Sequence, residues 1–231
     1  LYDQYADGSL STTMGMPAFW ALHTDVLDAK QLDRMVKHLD DPKTFNRPHR
    51  VPSLSADNPK YNPRGRYWQG GVWPGTNYMV ITGLDKKGYT KQAKEIAKNH
   101  YNNVFEVYKN TGTFWEYYAP EAAEPGFMAR KDFVGWTGLP PIAVFIEYIL
   151  GIRSDYANHS VIWDITQTEA HGIERYPYGP DGLVSFKVNK RNSADETPSV
   201  TIDSNVAFEL TLLWGKDKSK KVSVQVGKQT I

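Results

Sequence analysis

The chain has 231 residues, a formal net charge of +1 and no cysteine, with 40% hydrophobic and 23% charged residues. Its length predicts one or two domains, and its composition argues against disorder, collagen or coiled coil along the whole chain. The near-neutral charge leads us to expect no nucleic acid as a partner. No apolar run approaches the ~20 residues that span a bilayer, so we expect no membrane. Without cysteine there is no disulfide and no cysteine-ligated metal.

The first clear helix is predicted to begin after Asp28, which forms a variant capping box with Gln31. Pro42 follows and prevents the helix from extending further. Apolar residues at the spacing i, i+3, i+4 and i+7 predict its buried face: Leu32, Met35, Val36 and Leu39.

A loop rich in Pro, Asn, Ser and Arg follows over residues 41–73, and loops of this length are uncommon inside a domain unless they are functional. Further helices are predicted at about 75–83 and 89–108. The last helix opens with Pro140 and Pro141 and ends before Gly151, a residue typical of helix C-termini. It is apolar on nearly every side, so we expect it to be deeply buried.

Beyond residue 158 the pattern changes to short segments of period two, which predict an antiparallel sandwich or sheet. The polar segment 189–198 is predicted to be a solvated hairpin loop. The fold class expected from these elements is α+β, with a helical domain over 1–152 and an antiparallel β domain over 153–231. The alternating apolar residues are Val161, Trp163, Ile165, Val184, Phe186, Val200, Ile202, Val206, Phe208, Leu210, Leu212, Val222, Val224 and Val226.

Aromatic residues are abundant, with 7 Trp, 14 Tyr and 9 Phe, and many of them lie beside Gly and Pro. Flat aromatic faces held in turns suit sugar rings, whose C–H faces are apolar and whose hydroxyls need hydrogen bonds. The same residues also fit an ordinary role in the core.

Most familiar catalytic motifs are absent: the sequence has no phosphate loop, dinucleotide fingerprint, HExxH or GxSxG. None of the 6 His pairs with another at ligand spacing, so we expect no metal and no cofactor. What remains is a carboxylate among aromatics, Glu116, within the segment 111–121. It fits a base beside a sugar, and on the residue pattern alone it fits better a surface Glu in a loop whose aromatics pack elsewhere.

Two more segments combine aromatic and polar residues. Residues 64–74 offer guanidinium, amide and indole groups on a Gly-rich frame, so Arg66 and Gln69 are candidate donors to sugar hydroxyls and Trp68 and Trp73 are candidate stacking surfaces. Residues 132–138 place Trp136 just before the last helix. Turns that merely pack their aromatics are the alternative for both segments.

These segments resemble, in the same order along the chain, motifs of glycoside hydrolase family 63 and its mannosylglycerate-hydrolase relatives. Residues 67–78, YWQGGVWPGTNY, resemble the family's YWRGPxWxxxNY; residues 114–121, FWEYYAPE, are similar to its YENYNPE-like segment; residues 133–138, FVGWTG, resemble its F(T)GWSG, which trehalases of family 37 also carry. The helix 32–40 followed by VPSLS at 51–55 matches the family's helix and LPSLS. The tail that begins at His171 looks like the β domain of some bacterial members.

The resemblance implies an (α/α)6 toroid and an inverting, exo-acting, glucosidase-like enzyme for α-linked sugars. It implies that Glu116 is the general base and that the sugar subsite is lined by Arg66, Trp68, Gln69, Trp73, Trp115 and Trp136. Gln69 stands where the family usually has Arg, which weakens the carry-over of one charged contact. The family's acid, an Asp in a WDxxF-like motif, has no counterpart before residue 60.

About five helices are predicted where a toroid has twelve, and the chain starts at Leu1 with neither Met nor a signal peptide. We therefore expect the C-terminal part of a toroid plus a β domain, with the acid upstream. The partners expected are an α-linked saccharide and either the rest of the polypeptide or a second copy at the open barrel edge. The family's usual diet suggests a periplasmic or secreted bacterial location.

Two other functions fit these residues. One is a non-catalytic carbohydrate-binding or interaction module that keeps the aromatic cleft without the acid. The other is a trehalase-like enzyme or a phosphorylase built on a similar toroid. A tryptophan-flanked Asp upstream of Leu1 would favour the hydrolase over the binding module.

Overall fold

The computed structural model describes residues 2–231, and Leu1 lies outside the described residues. The chain divides into two compact units, Leu1–Val144 and Phe145–Ile231. Unit 1 contains the 3-10 helix Met16–His23, helices α1 (Ala29–His38), α2 (Pro74–Lys86) and α3 (Thr90–Thr111), and the 3-10 turn Trp136–Gly138. Unit 2 contains eight strands, and a π-helix, Pro140–Ile149, runs across the boundary. The α+β class is confirmed.

Helix α1 begins as the sequence predicts. The Asp28 side chain accepts a hydrogen bond from the Gln31 backbone at 2.8 Å, and the Gln31 side chain accepts one from the Asp28 backbone at 2.9 Å. This reciprocal capping box satisfies two N–H groups that a helix start otherwise leaves without partners. Met35, Val36 and the C-cap Leu39 are buried, which confirms the predicted apolar face.

Helices α2 and α3 extend beyond their predicted ends. Helix α2 starts at Pro74, where a proline loses no hydrogen bond, and it packs so closely on the 3-10 helix that a Cβ on Gly83 would meet the Leu22 side chain at 2.7 Å. Helix α3 ends at Gly112, whose φ of 72° is left-handed and favours glycine. The buried face of α3 includes Ile96 and Val104, as predicted.

The long loop between α1 and α2 is confirmed, and a buried amide on α2 holds part of it in place. The Asn77 side chain accepts from the Val51 N–H at 2.7 Å and donates to the Val51 carbonyl at 3.1 Å. Asn77 is fully buried, so this pair fixes the segment that leads into residues 64–74.

Unit 2 is built from two four-stranded sheets, in the orders β1-β2-β6-β7 and β3-β4-β5-β8. Its core is formed by the inward faces of both sheets, with Trp163, Phe186, Ile202 and Leu210 fully buried. The strands are β1 (Ile152–Asp155), β2 (Ser160–Ile165), β3 (His171–Tyr178), β4 (Gly182–Val188), β5 (Val200–Ser204), β6 (Phe208–Trp214), β7 (Lys218–Val224) and β8 (Gly227–Thr230).

The prediction of a wholly antiparallel β domain is wrong at one pair of strands. Strand β2 pairs in parallel with β6, with Val161 opposite Leu210 and Trp163 opposite Leu212. A parallel pair needs a long crossover connection, and here strands β3, β4 and β5 of the other sheet supply it. Alternating apolar residues predict the buried face of a strand, but they do not encode its direction.

The predicted deep burial of the last helix is also wrong. Ile142 in the last helix is 63% exposed, because hydrophobicity states only a preference for burial, whereas exposure depends on the elements that pack against the helix. The loop 189–198 is mostly exposed, as predicted. Within it Arg191 is 3% exposed, and its guanidinium donates to the carbonyls of Ala194, Glu196, Ile165 and Gln167. This arginine therefore organises a loop that the sequence predicts to be solvated.

Candidate active site

Four aromatic residues of two separate loops form one cluster in unit 1, and three of them are stacked. Trp73 lies between Trp68, at 4.6 Å between ring centroids, and Tyr117, at 4.4 Å. Tyr67 meets the ring of Trp73 edge-on at 4.9 Å. Trp73 is buried, while Trp68 and Tyr67 are about half exposed, so the stack is anchored at one end and presents flat aromatic surface at the other.

Trp136 extends this aromatic surface. Its ring lies 5.7 Å from that of Trp73 and 4.8 Å from that of Phe133, and it is 40% exposed. We refer to Tyr67, Trp68, Trp73, Tyr117 and Trp136 as the aromatic platform. Three of the predicted sugar-binding residues are thus brought together.

The backbone that carries the platform depends on glycine. Gly71 donates to the Tyr67 carbonyl at 3.0 Å, and a Cβ on Gly71 would meet that oxygen at 2.4 Å. Tyr67 itself adopts a φ of 48°, which is uncommon for a residue other than glycine. The tight turn sets Trp68 and Trp73 near each other although five positions separate them in the sequence.

Glu116 lies beside the platform. Its backbone carbonyl accepts a hydrogen bond from the Trp136 indole at 2.7 Å, and its N–H donates to the Arg130 carbonyl at 2.9 Å. The side chain is half-buried, and among residues 2–231 its carboxylate accepts no hydrogen bond and forms no ion pair. A carboxylate in this state is able to accept a hydrogen bond from a water molecule or from a ligand hydroxyl.

The pKa of the neighbouring Tyr117 depends on its burial and on the negative charge of Glu116. Burial raises the pKa of the Tyr117 hydroxyl, and the nearby Glu116 carboxylate raises it further. The hydroxyl therefore keeps its proton, which it donates to the Phe127 carbonyl at 3.0 Å. Tyr117 therefore stays neutral beside the Glu116 carboxylate.

The remaining predicted site residues lie in different environments. Arg66 is exposed, and within the described chain neither its guanidinium nor the Gln69 side chain makes a hydrogen bond; their backbones close the turn, with Gln69 N–H donating to the Arg66 carbonyl at 2.8 Å. The Trp115 indole donates to the Thr111 hydroxyl at 3.1 Å and packs against a buried cluster that includes Val104. The structure thus groups Trp115 with α3 rather than with the platform.

Two other carboxylates near this region are already engaged. Glu121 accepts a bidentate pair of hydrogen bonds from Arg47 at 2.7 and 2.8 Å and a third from the Tyr61 hydroxyl at 2.6 Å. The Arg47 guanidinium holds the pKa of Glu121 below its usual range, so this group stays ionised. Asp132 accepts from the Thr113 hydroxyl at 2.7 Å.

Two histidines that are far apart in sequence meet in the interior of unit 1. His49 Nε2 and His100 Nδ1 lie 2.8 Å apart, and both residues are fully buried. Burial lowers the pKa of His100 to about 3 and lowers that of His49 well below its usual value, with the neighbouring His100 as the second cause. The described residues contain no group of three or more His, Asp or Glu side chains that could hold a metal ion.

The comparison with known proteins decides the family. A family model described as "Mannosylglycerate hydrolase MGH1-like glycoside hydrolase domain" matches residues 2–137. The chain belongs to this family. The match includes the segments of Trp68, Glu116 and Trp136, so the resemblance read from those motifs is confirmed.

Relatives of the MGH1-like family support the same assignment. The chain is 39% identical over 87 residues to mannosylglycerate hydrolase MGH1 of Selaginella moellendorffii. The matched region covers 38% of this chain and 16% of that protein. It is 30% identical over 122 residues to a probable mannosyl-oligosaccharide glucosidase of Schizosaccharomyces pombe, covering 48% of this chain and 15% of the relative.

A solved structure of a family 63 mannosylglycerate hydrolase from Thermus thermophilus, in complex with glucose, is similar with a TM-score of 0.48 and 21% identity, covering 61% of this chain and 32% of that one. The chain spans 39% or less of the length of each of eight curated relatives that it matches.

Sequence reasoning missed two members of the platform, Tyr67 and Tyr117. Both flank residues that the motifs singled out, but their rings join the stack only because the two loops meet in space. The backbone pairing of Val72 with Tyr118, with N–H to carbonyl distances of 2.9 and 3.0 Å, brings the loops together. A weak signal existed in the Gly70-Gly71 pair, which predicts a tight turn beside Tyr67.

Proposed function

We propose that this chain is part of an inverting, exo-acting α-glycoside hydrolase that acts on glucosides. In this proposal the chain carries the general base of the enzyme, Glu116. The observation that supports the proposal is the half-buried Glu116 carboxylate, which lacks an internal partner and lies beside an exposed aromatic platform. The family match and the names of relatives, one of which is an alpha-glucosidase, support α-linked sugars as the substrate class.

In this mechanism the Glu116 carboxylate takes a proton from a water molecule as the water oxygen attacks the anomeric carbon. The bond from that carbon to the leaving oxygen breaks, and the leaving oxygen receives a proton from an acid on the opposite side of the sugar. In inverting enzymes the two carboxyl groups lie about 6.5–9.5 Å apart, which leaves room for the water. We place the acid in another part of the whole protein, since Glu121 is held ionised by Arg47.

We also propose that the helices of unit 1 are part of an (α/α)6 toroid that the rest of the protein completes, with the domain limits 1–152 and 153–231. An exposed apolar groove supports this proposal: it has a volume of about 220 Å³ and is lined only by residues of unit 1, including Tyr101, Phe105 and Pro141. Phe105 is 50% exposed, and the rest of a longer protein would cover it.

A non-catalytic carbohydrate-binding module is the second candidate. The observation that favours it is that two carboxylates near Glu116, Glu121 and Asp132, each accept hydrogen bonds from other side chains of unit 1. A screen of the whole protein with aryl α-glycosides and α-linked disaccharides, followed by NMR of the product anomer, separates the two. Hydrolysis with inversion supports the enzyme; binding of the same sugars without hydrolysis supports the module.

Removing the outer ring of the platform should weaken sugar binding. For Trp68→Ala in the whole protein we expect KM for an α-glucoside to rise about tenfold, because a lost aromatic stacking surface is worth about 1–1.5 kcal/mol. The kcat should change less, since Trp68 does not touch the reacting atoms. Trp20→Ala is the matched control, because Trp20 is 52% exposed on the 3-10 helix Met16–His23. Equal effects of the two variants would contradict the platform.

Residues 1–231 expressed alone should self-associate and should not hydrolyse α-glycosides. The exposed groove beside Phe105 favours association, and one carboxylate cannot act as acid and base on opposite sides of the bond. Light scattering and an activity assay check both expectations. A stable monomer that hydrolyses α-glycosides would show that the acid lies within this chain.

A further inference from the structure

The segment that carries Glu116 runs alongside residues 130–137 and is tied to them at several points. Trp115 forms a backbone bridge with Lys131, and Phe133 N–H donates to the Phe114 carbonyl at 3.1 Å. The Thr113 hydroxyl donates to Asp132 at 2.7 Å. The segment is therefore held along its length by a partner that follows it in the sequence.

Two of the ties are donated by side chains to successive carbonyls. The Thr137 hydroxyl donates to the Trp115 carbonyl at 2.8 Å, and the Trp136 indole donates to the Glu116 carbonyl at 2.7 Å. Thr137 is fully buried, so its hydroxyl has a dry, fixed environment in which a hydrogen bond is strong.

Together these bonds hold both peptide planes that flank the Cα atom of Glu116. The preceding plane is fixed twice, by Thr137 at the Trp115 carbonyl and by the Arg130 carbonyl at the Glu116 N–H. The following plane is fixed by Trp136 at the Glu116 carbonyl. Because the two planes set φ and ψ of Glu116, they also set the direction in which its Cα–Cβ bond points.

We propose that Thr137 and Trp136 are positioning residues that aim the Glu116 side chain at the water it activates. This inference rests on the proposed function and adds residues that act through Glu116. Trp136 has a second role, since its exposed ring belongs to the platform, whereas Thr137 is buried away from any ligand. A misplacement of about 1 Å in a catalytic group can cost about 100-fold in rate, so such aiming has a measurable effect.

The test compares Thr137→Val, which keeps the size and loses the hydroxyl, with Thr137→Ser, which keeps the hydroxyl. In the whole protein, with α-glucosyl and α-mannosyl fluoride as probes, we expect kcat to fall about 10–100-fold in the valine variant with KM nearly unchanged, and to recover in the serine variant. Glycosyl fluorides need no protonation of the leaving group, so a defect that persists with them lies on the side of the base.

A second measurement requires no turnover. Loss of one hydrogen bond of about 1 kcal/mol should speed amide hydrogen exchange at Glu116 about five- to tenfold in Thr137→Val but not in Thr137→Ser. If Thr137→Val folds poorly, Trp136→Phe replaces it in the test, because phenylalanine keeps a ring and loses the N–H. We expect Trp136→Phe to lower kcat and to speed exchange as Thr137→Val should. Unchanged amide exchange at Glu116 in both Thr137→Val and Trp136→Phe, or an unchanged kcat in both, would overturn the positioning role.

The two proposals fail in different ways. If Glu116→Ala retains full activity, Glu116 is not the base and the proposed function is wrong. If Glu116→Ala is inactive while Thr137→Val and Trp136→Phe turn over normally, the base assignment stands and only the positioning role is lost.

Discussion

Replacing Glu116 with glutamine is expected to lower kcat of the whole protein toward α-linked glucosides by about 10²–10⁴-fold, the range that general base catalysis contributes. The amide keeps the shape of the side chain and its ability to hydrogen bond, but it cannot take a proton from water. We therefore expect KM to stay close to the wild-type value, and steady-state kinetics separates the two parameters.

Glu124→Gln is the matched control for this experiment. Glu124 is an exposed carboxylate in the same loop region, and its backbone N–H donates to the Ala122 carbonyl at 2.9 Å. The same change in charge at Glu124 should leave kcat unaltered. A Glu116→Gln protein with wild-type turnover would remove Glu116 from the mechanism.

The buried histidine pair is expected to make unit 1 sensitive to acid. In the unfolded chain a histidine binds a proton near a pKa of about 6.5, whereas burial lowers the pKa of His100 to about 3 and also lowers that of His49. As pH falls below the unfolded value, the unfolded state binds more protons than the folded state. The free energy of unfolding should then fall by about 1.4 kcal/mol per pH unit for each histidine, until the folded pKa is reached.

Denaturant unfolding at a series of pH values, followed by tryptophan fluorescence, measures this slope. Five of the 7 tryptophans lie in unit 1, so the signal reports mainly on the unit that holds the pair. His100→Gln should reduce the slope between about pH 6 and 4 by roughly half, and His159→Gln, a change at an exposed residue of unit 2, should leave it intact. A slope that is the same in all three proteins would contradict the role of the pair.

The features that the sequence predicts correctly are those with a local cause. The capping box of α1 needs only Asp28 and Gln31, three positions apart. Buried faces of helices and strands follow from a period of 3.6 or 2. The motif order that indicates the family is likewise readable along the chain.

The features that the sequence does not predict depend on long-range pairing. The direction of β6 relative to β2 is set by the crossover through the other sheet. The contact between His49 and His100 joins the long loop to α3. For the candidate site, the motifs point to Glu116, Trp68 and Trp136, but the positions of Tyr67 and Trp115 depend on how three loops pack against one another.

The strand order of unit 2 has a consequence for synthesis on the ribosome. Each sheet includes strands from the end of the chain, since β6 and β7 complete the first and β8 completes the second. Roughly 50 residues separate β2 from the end of its parallel partner β6, and at ~5–20 residues per second they take roughly 2–10 s to emerge. During that interval Val161 and Trp163, which are buried in the finished unit, lack the neighbour that covers them. Unit 2 therefore cannot bury these side chains against β6 until most of its chain has been made, whereas unit 1 precedes it in the chain.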